Sequence, residues 1–162
     1  MSRLNIRPAT DADVSHILTF IKELADYEKM PEQVMATEDS LRATLFGERR
    51  YAEVLIGEID GTPAGFALFF HNYSTWLAKP GIYLEDLYVS PAARGEGLGK
   101  ALLISLARLA VERNCGRLEW SVLDWNEPAI QFYRSLGAIS MDEWTVNRVT
   151  GETLTNLAER TI

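Results

Sequence analysis

The stretch from Arg94 to Lys100, Arg-Gly-Glu-Gly-Leu-Gly-Lys, has the residue types and spacing to bind an anion. It follows an apolar run, Ile82 to Val89, that predicts a strand, and it leads into a run of helical periodicity, Lys100 to Arg113. A glycine-rich turn that opens a helix leaves backbone N–H groups free and directs the positive end of the helix at a ligand. The pattern therefore favours a pyrophosphate site, although glycine spacing taken alone is equally compatible with a surface turn.

Two common nucleotide motifs do not fit this glycine-rich turn. It lacks the Gly-Lys-Ser/Thr ending of a nucleotide triphosphate loop. The chain also lacks an early strand–glycine–helix unit that is followed by a ribose-binding acid, which a dinucleotide fold requires. The sequence thus indicates a pyrophosphate ligand of another kind.

Length and composition indicate one globular domain, residues 1–162. Of the 162 residues, 47% are hydrophobic and 24% are charged, and a chain of this length can bury a core without disulfides or metal. The net charge of -7 opposes binding to nucleic acid and weakly favours cationic small molecules. Simple solubility is the alternative explanation of that charge.

The sequence predicts neither export nor membrane insertion. Residues 1–7 lack an apolar signal core, and the single cysteine, Cys115, cannot form an internal disulfide. No apolar run approaches the roughly 20 residues that span a bilayer. We therefore expect a cytoplasmic protein without membrane contact.

Periodicity and turn residues predict the elements that hold the glycine-rich turn in position. The predicted strands are Leu4 to Pro8, Tyr51 to Ile59, Pro63 to Phe70, Ile82 to Val89 and Arg117 to Leu123. Helices are predicted after caps at Thr10 and Thr37, at the glycine-rich turn and at Asn126. The pair Asp60-Gly61 predicts a hairpin between the second and third strands.

The remaining segments complete a mixed α/β or α+β domain. A loop is predicted from Tyr73 to Gly81, and the segments Trp144 to Val149 and Glu152 to Leu157 look extended, the second being also compatible with a helix. The helix after the glycine-rich turn makes the strands on either side of it parallel. We expect a mixed sheet that is flanked by helices.

The element order and the glycine-rich turn together resemble the Gcn5-related N-acetyltransferase (GNAT) family, whose motif is Arg/Gln-x-x-Gly-x-Gly/Ala. Arg94, Gly97 and Gly99 match that motif. Residues 83–86, 124–128 and 132–133 are similar to the spermidine/spermine acetyltransferase branch, and residues 73–76 and 123–126 look like its thialysine subtype. The resemblance implies a mixed, mostly antiparallel sheet, in which the parallel pair of strands splays around acetyl-CoA.

Two side chains are candidates for proton transfer. A primary amine with a pKa near about 10 is protonated at neutral pH and must lose a proton before it attacks a thioester. Glu85 is the candidate base, directly or through a water, because burial in an apolar strand would raise its pKa. Tyr133 matches the general acid of the family, which protonates the departing thiolate, although an aromatic residue beside Phe132 also suits a packing role.

The resemblance also implies the residues that bind acetyl-CoA. Main-chain groups at the strand end contact pantetheine, the glycine-rich turn binds the pyrophosphate, and the start of the helix at Asn126 contacts the pantetheine chain. The residues concerned are Leu87, Tyr88, Val89, Arg94, Gly95, Glu96, Gly97, Leu98, Gly99, Lys100, Asn126, Glu127, Pro128 and Tyr133. Solvated surface charge is the alternative for Arg94 and Lys100.

A further group of residues matches family positions around the amine. These residues are Tyr27, Glu28, Trp76, Glu85, Asp86, Glu119, Trp120 and Ser121. Acids would pair with ammonium groups and aromatic faces would contact cations, whereas packing of the tryptophans and a surface salt bridge of Asp86 are the alternatives. In a regular strand Glu85 and Asp86 point to opposite faces, so only one meets the substrate unless a bulge intervenes.

The sequence therefore predicts an acetyl-CoA-dependent N-acetyltransferase that acts on a small cationic amine by direct attack in a ternary complex. Ser74 and Thr75 stand where the polyamine subtype carries an acid, which favours a thialysine- or lysine-like amine over a diamine or polyamine. No metal is expected, because His16 and His71 lack companions at ligand spacing. Family analogy implies a homodimer. The alternatives are a protein or peptide N-acetyltransferase and a non-catalytic CoA-binding module.

Overall fold

A computed structural model describes residues 3–162, so Met1 and Ser2 of the N-terminal stretch discussed above lie outside the described residues. The described chain forms two compact units, of which the first ends at Leu123 and the second is Asp124–Ile162. The single domain over 1–162 stays a prediction. The first unit contains β1 (Leu4–Pro8), α1 (Val14–Tyr27), α2 (Glu38–Phe46), β2 (Glu53–Ile59), β3 (Thr62–Ser74), β4 (Lys79–Val89), α3 (Leu98–Glu112) and β5 (Leu118–Trp120). The second contains α4 (Glu127–Ser135) and α5 (Gly151–Ala158).

The first unit is built on a five-stranded sheet whose strands lie in chain order, β1-β2-β3-β4-β5. The first three pairings are antiparallel, and β4 and β5, which α3 connects, are parallel. Pairing of β4 with β5 runs only from Ile82 with Leu118 to Leu84 with Trp120, whereas β4 continues to Val89. The predicted mixed, mostly antiparallel sheet with one parallel pair is confirmed.

The sequence predicts the β2–β3 hairpin correctly, but it does not predict how far the β3–β4 hairpin extends. Asp60 and Gly61 both have positive φ and join β2 to β3, as the Asp-Gly pair predicts. The loop predicted from Tyr73 to Gly81 is wrong, because β3 and β4 stay paired to Ser74 and Lys79. Ala78, at φ 51°, lies in the short turn that joins the two strands. Because the turn is short, cross-strand pairing extends to residues of low strand propensity and keeps them in the strands.

Helices cover both faces of the sheet. One core cluster joins Ile17 and Phe20 of α1 and Leu41 of α2 to Phe66 and other residues of the strands. Neighbouring strand residues point to opposite faces, and Gly65, beside Phe66, lies against Leu98 of α3. The two helices α1 and α3 therefore cover opposite faces of the sheet, and both contact β4.

The second unit departs from the prediction at its C-terminal end. Residues 144–149, predicted to be extended, form no regular strand, and the segment Glu152 to Leu157 belongs to α5, which is the helical alternative that the sequence analysis left open. Leu154 and Leu157 stand three residues apart, a spacing that suits one side of a helix, and Thr155 Oγ1 donates to the Gly151 carbonyl. No helix in the described part of the chain is long and apolar enough to cross a membrane.

Candidate active site

The glycine-rich turn has the backbone geometry that its sequence predicts. Gly95 and Gly97 lie in the left-handed region, at φ 85° and 86°, and α3 begins directly after Gly97. A Cβ atom on Gly95 would meet nothing within 4 Å, so backbone conformation rather than crowding requires glycine there. The first N–H groups of α3 have no carbonyl partner within the helix and can donate to an anion.

Leu98 fixes the start of α3 against the sheet. Its side chain is buried and fills the space that Gly57 and Gly65 leave on β2 and β3. A Cβ on Gly57 would come within 2.8 Å of Leu98 Cδ1, and one on Gly65 within 3.3 Å of Leu98 Cδ2. The side chain of Leu98 is therefore a packing anchor, and only its main chain is available to a ligand.

Arg94 contacts the end of β4 and the end of α1. Its Nε donates to the Val89 carbonyl at 3.2 Å, and its guanidinium carbon lies 5.4 Å from the Tyr27 ring centroid and 5.8 Å from that of Tyr88. These distances suit cation–π interactions. Burial, followed by a hydrogen bond to Glu23, raises the pKa of the Tyr88 hydroxyl. Arg94, which the sequence analysis assigned to pyrophosphate binding, thus also connects the glycine-rich turn to the region around Tyr27.

The other charged side chains of the turn lie at the surface. Glu96 accepts a hydrogen bond from Arg3 at 3.1 Å, and both side chains are about half exposed. Lys100 is exposed in the first turn of α3. Glu96 therefore places a negative charge beside the turn, which its ion pair with Arg3 offsets in part.

The main chain from Leu87 to Val89 has one side that pairs with β3, through Ala67, Phe66 and Gly65. β5 ends at Trp120, opposite Leu84, and does not reach the other side of these residues. That side of β4 can therefore form hydrogen bonds with an extended ligand, as a strand edge does.

A β-bulge lies at Glu85. Asp86 pairs with Leu68 and Leu84 with Phe69, which leaves Glu85 as the extra residue of β4. The bulge interrupts the alternation of side chains between the two faces of the sheet, so Glu85 and Asp86 need not point to opposite faces. The sequence analysis allowed for this exception. Glu85 is exposed, so the burial that the sequence analysis expected of it is wrong: the bulge leaves its side chain at the surface, and Asp86 is the partly buried acid.

Three carboxylates influence one another where the end of α1 approaches this bulge. Burial, and then the charges of Glu85 and Glu28, raise the pKa of Asp86 to about 6. Burial and the charge of Glu85 also raise the pKa of Glu28. Such a group can bind a cation and exchange protons near neutral pH. The structure thus brings three of the predicted amine-site residues together.

Other predicted amine-site residues lie in or beside β5 and in the β3–β4 turn. The Tyr83 hydroxyl and Ser121 Oγ are hydrogen-bonded at 2.8 Å, and Asn72 Nδ2 donates to Glu119 Oε1 at 3.3 Å. Trp76 lies in the β3–β4 turn with 83% of its surface exposed. Trp120 is half-buried at the end of β5.

Three residues that the sequence analysis did not single out belong to this region. Asn72, Gly81 and Arg117 line a small polar cavity together with Glu119. The sequence analysis placed Gly81 in a loop. Apart from the glycine itself, nothing in the sequence indicated that this residue lies in a strand beside Asn72. In the described residues, no group of three or more potential metal ligands occurs.

The second unit carries the remaining predicted residues. Asn126 caps α4, its Oδ1 accepting from the Ala129 N–H at 3.4 Å, and Glu127 and Pro128 form the first turn. The ring of Tyr133 lies 5.6 Å from that of Phe132. Their roles toward CoA stay predictions.

Comparison with known proteins gives a consistent family. Residues 18–138 match the acetyltransferase (GNAT) family. The thialysine N-epsilon-acetyltransferase of Bos taurus is 39% identical over 98% of this chain and 99% of its own. The L-ornithine N5-acetyltransferase of Arabidopsis thaliana is 33% identical over 92% of this chain and 85% of its own.

Two solved structures share the fold of this chain. An integron cassette protein from the mobile metagenome of V. cholerae has a TM-score of 0.83 and 27% identity, over 99% of this chain and 100% of its own. An aminoglycoside acetyltransferase from a soil metagenomic sample has a TM-score of 0.76 at 18% identity, over 91% of this chain and 96% of its own, which shows the fold alone.

Proposed function

The chain belongs to the acetyltransferase (GNAT) family and is an acyltransferase, and from this premise we propose that it transfers the acetyl group of acetyl-CoA to the primary amine of a small cationic substrate. The observation that carries the proposal is the group of Glu28, Glu85 and Asp86 at the bulge of β4. A negative group of this kind attracts an ammonium and can accept its proton. The same strand leads directly into the glycine-rich turn.

The residues of the turn and of β4 fit acetyl-CoA. Two glycines at positive φ, the free N–H groups at the start of α3 and the cation of Arg94 suit a diphosphate. The β4 edge from Leu87 to Val89 suits the amides of pantetheine. Acetyl-CoA supplies the thioester whose acyl carbon the amine attacks.

The proposed chemistry divides proton transfer between two residues. Glu85, exposed at the bulge, accepts a proton from the substrate ammonium directly or through a water, while Glu28 and Asp86 bind the cation. The neutral nitrogen forms a bond to the acyl carbon and then loses a second proton to solvent, the carbon–sulfur bond breaks, and the thiolate takes a proton from Tyr133, which solvent replaces. The role of Tyr133 rests on the family resemblance.

The relatives narrow the choice of acceptor. Proteins at 37–39% identity are named for thialysine, and another is named for ornithine, so we place a thialysine- or lysine-like amine ahead of diamines and polyamines.

We further propose a homodimer, because apolar side chains of the second unit, among them Trp144 and Val146, are 70% and 80% exposed.

A product assay with mass detection tests the proposed function. Acetyl-CoA is incubated with diamines, polyamines, lysine analogues and peptides, and we expect acetylation of the small amines. Glu85→Gln should lower the rate most at neutral pH and recover in part at high pH, because free amine then forms without a base. Glu48→Gln, an exposed glutamate after α2, is the control and should keep the profile of the unaltered protein.

The same assay separates the alternatives. Acetylated peptides without acetylated small amines would indicate a protein acetyltransferase. Tight CoA binding without any product would indicate a non-catalytic CoA-binding module. A pH–rate profile of Glu85→Gln that matches that of the unaltered protein would remove Glu85 as the base.

A further inference from the structure

The side chain of Arg94 is fixed by contacts with the ends of β4 and α1. Its Nε donates to the Val89 carbonyl at 3.2 Å, and its guanidinium carbon lies 5.4 Å from the Tyr27 ring centroid and 5.8 Å from the Tyr88 ring centroid. Arg94 as a whole is nevertheless exposed. The guanidinium thus contacts two aromatic rings, while the side chain stays accessible to a ligand bound at the glycine-rich turn.

Three residues of α1 lie on the side of this helix that faces Tyr88 and Arg94. Phe20, Glu23 and Tyr27 are three and four residues apart, a spacing that places them on one face of a helix. The Phe20 ring lies 6.3 Å from the buried Tyr88 ring, and the Tyr27 ring contacts Arg94. Glu23, which stands between Phe20 and Tyr27, therefore belongs to the packed face of α1 and not to its solvated face.

The Tyr88 hydroxyl connects Glu23 to Arg94. It forms hydrogen bonds with both side chains, and both charges act on it. A carboxylate can only accept a hydrogen bond and a guanidinium can only donate one, so the hydroxyl donates to Glu23 and accepts from Arg94. Because each group has a single possible role, the three side chains fit together in one order only.

The second oxygen of the Glu23 carboxylate is not satisfied by the protein. Oε2 is buried and has no hydrogen-bond partner among residues 3–162. A buried carboxylate oxygen without a partner destabilises the folded state unless a cation lies close to it. Arg94 carries the cation that shares the Tyr88 hydroxyl with Glu23, so the charge of Glu23 favours the position of Arg94 over the two rings. The proposed chemistry gives Glu23 no other role.

We propose that Glu23 is a positioning residue of the coenzyme site, which acts through the Tyr88 hydroxyl to hold the Arg94 guanidinium where it binds the diphosphate of CoA. An arginine side chain that is already fixed loses less conformational freedom when its ligand binds. The proposal rests on the proposed function for the identity of the ligand. It gives the Tyr88 side chain a role in coenzyme binding in addition to that of its main chain.

Calorimetry with CoA tests the contacts that connect Glu23 to Arg94. Tyr88→Phe removes only the hydroxyl, and Glu23→Gln removes the charge and adds N–H groups that compete with Arg94 for the hydroxyl oxygen. Each variant should raise the Kd for CoA about tenfold. Asp26→Asn, an exposed acid of α1, and Tyr51→Phe, a tyrosine that is 61% exposed, are the matched controls and should bind CoA as the unaltered protein does. An unchanged Kd in folded Tyr88→Phe would overturn the proposal.

A shortened thioester separates the positioning of Arg94 from general damage to the site. Acetylpantetheine has the thioester and the amides of acetyl-CoA but no diphosphate, so it lacks the group that Arg94 binds in this proposal. With the best small amine of the product assay as acceptor, Tyr88→Phe and Glu23→Gln should raise KM for acetyl-CoA about tenfold and leave kcat nearly unchanged. Both variants should keep kcat/KM for acetylpantetheine. An equal loss with the two thioesters would contradict the positioning role.

A double variant separates positioning from stability. Tyr88→Phe leaves the buried Glu23 carboxylate without its hydroxyl partner, so urea unfolding should show a loss of stability. Glu23→Leu combined with Tyr88→Phe removes both polar groups and should recover most of that loss. Its affinity for CoA should stay low, because Arg94 still lacks its acceptor. A double variant that binds CoA like the unaltered protein would show that Glu23 and Tyr88 only stabilise the fold.

Binding and turnover together separate failure of this proposal from failure of the proposed function. Calorimetry with CoA needs no acetyl transfer. An unaltered protein that binds CoA more tightly than both variants but forms no acetylated product would contradict the proposed function alone. An unaltered protein that acetylates an amine but binds CoA no more tightly than the variants would contradict the positioning role alone. Absence of CoA binding by the unaltered protein would contradict both.

Discussion

The surroundings of Asp86 oppose the ionisation of its side chain. Its pKa is raised to about 6 in the folded protein, chiefly by burial, while an unfolded aspartate titrates near about 3.9. The folded state therefore holds this proton more tightly, and stability falls as the pH rises from about 4 to about 6. Above about pH 6, the free energy of unfolding of Asp86→Asn should exceed that of the unaltered protein by up to about 3 kcal/mol. The variant should also lack the part of the loss of stability between about pH 4 and about pH 6 that ionisation of Asp86 causes.

Urea unfolding from about pH 4 to about pH 8 measures this effect. The difference between Asp86→Asn and the unaltered protein isolates Asp86 from Glu28, whose pKa is also raised. Asp142→Asn, an exposed aspartate of the second unit, should give a curve parallel to that of the unaltered protein. If the Asp86→Asn curve is parallel as well, the folded protein does not oppose ionisation of Asp86.

Gly65 links the packing of the sheet to the proposed CoA site. A Cβ atom at this position would lie 2.5 Å from the Tyr88 carbonyl oxygen and 3.3 Å from Leu98 Cδ2. The backbone of β4 cannot yield as a flexible side chain does, so Gly65→Ala should separate β3 from β4 at Tyr88. We expect a loss of about 1 to 3 kcal/mol in the free energy of unfolding, together with weaker binding of CoA in calorimetry.

Gly61→Ala is the matched control for that substitution. Gly61 lies in the β2–β3 turn at φ 80°, and a Cβ there would meet nothing within 4 Å. This variant should lose stability through backbone strain and keep its affinity for CoA. Equal CoA affinities in the two variants would show that the spacing of β3 and β4 does not matter for the ligand.

Local signals in the sequence predicted the elements that depend on few residues. Asp60-Gly61 predicts its hairpin because both positions tolerate positive φ, and the crossover rule predicts that β4 and β5 are parallel. The bulge at Glu85 had no such signal, because it depends on the register of β3 against β4. The segment Glu152 to Leu157 is too short for periodicity to separate strand from helix.

Side-chain contacts between distant segments were equally beyond the sequence. Arg94 lies over Tyr27 only because the end of α1 approaches the end of β4, which is a property of the packed unit. The contact of Asn72 with Glu119 requires three aligned strands and a glycine between them. The residue types were visible in the sequence, whereas their proximity depends on long-range pairing.

The proposed homodimer leads to a prediction for the assembled protein. Apolar side chains after α4 are strongly exposed, with 82% of the surface accessible at Ile139, 70% at Trp144 and 80% at Val146. Exposed apolar groups in one segment favour association, and the partner surface of a symmetric dimer is the same segment of a second copy. We therefore expect the protein to sediment at twice its mass of 18.2 kDa.

Sedimentation of the double variant Trp144→Ser with Val146→Ser locates the contact. Loss of two large apolar groups from both copies should yield a species of 18.2 kDa over the concentration range in which the unaltered protein is dimeric. Val111→Ser removes one valine that is 81% exposed on α3, outside this segment, and should leave the dimer intact. An unaltered protein that sediments as a monomer at every concentration would contradict the dimer. Dissociation by Val111→Ser alone would place the contact on α3 instead.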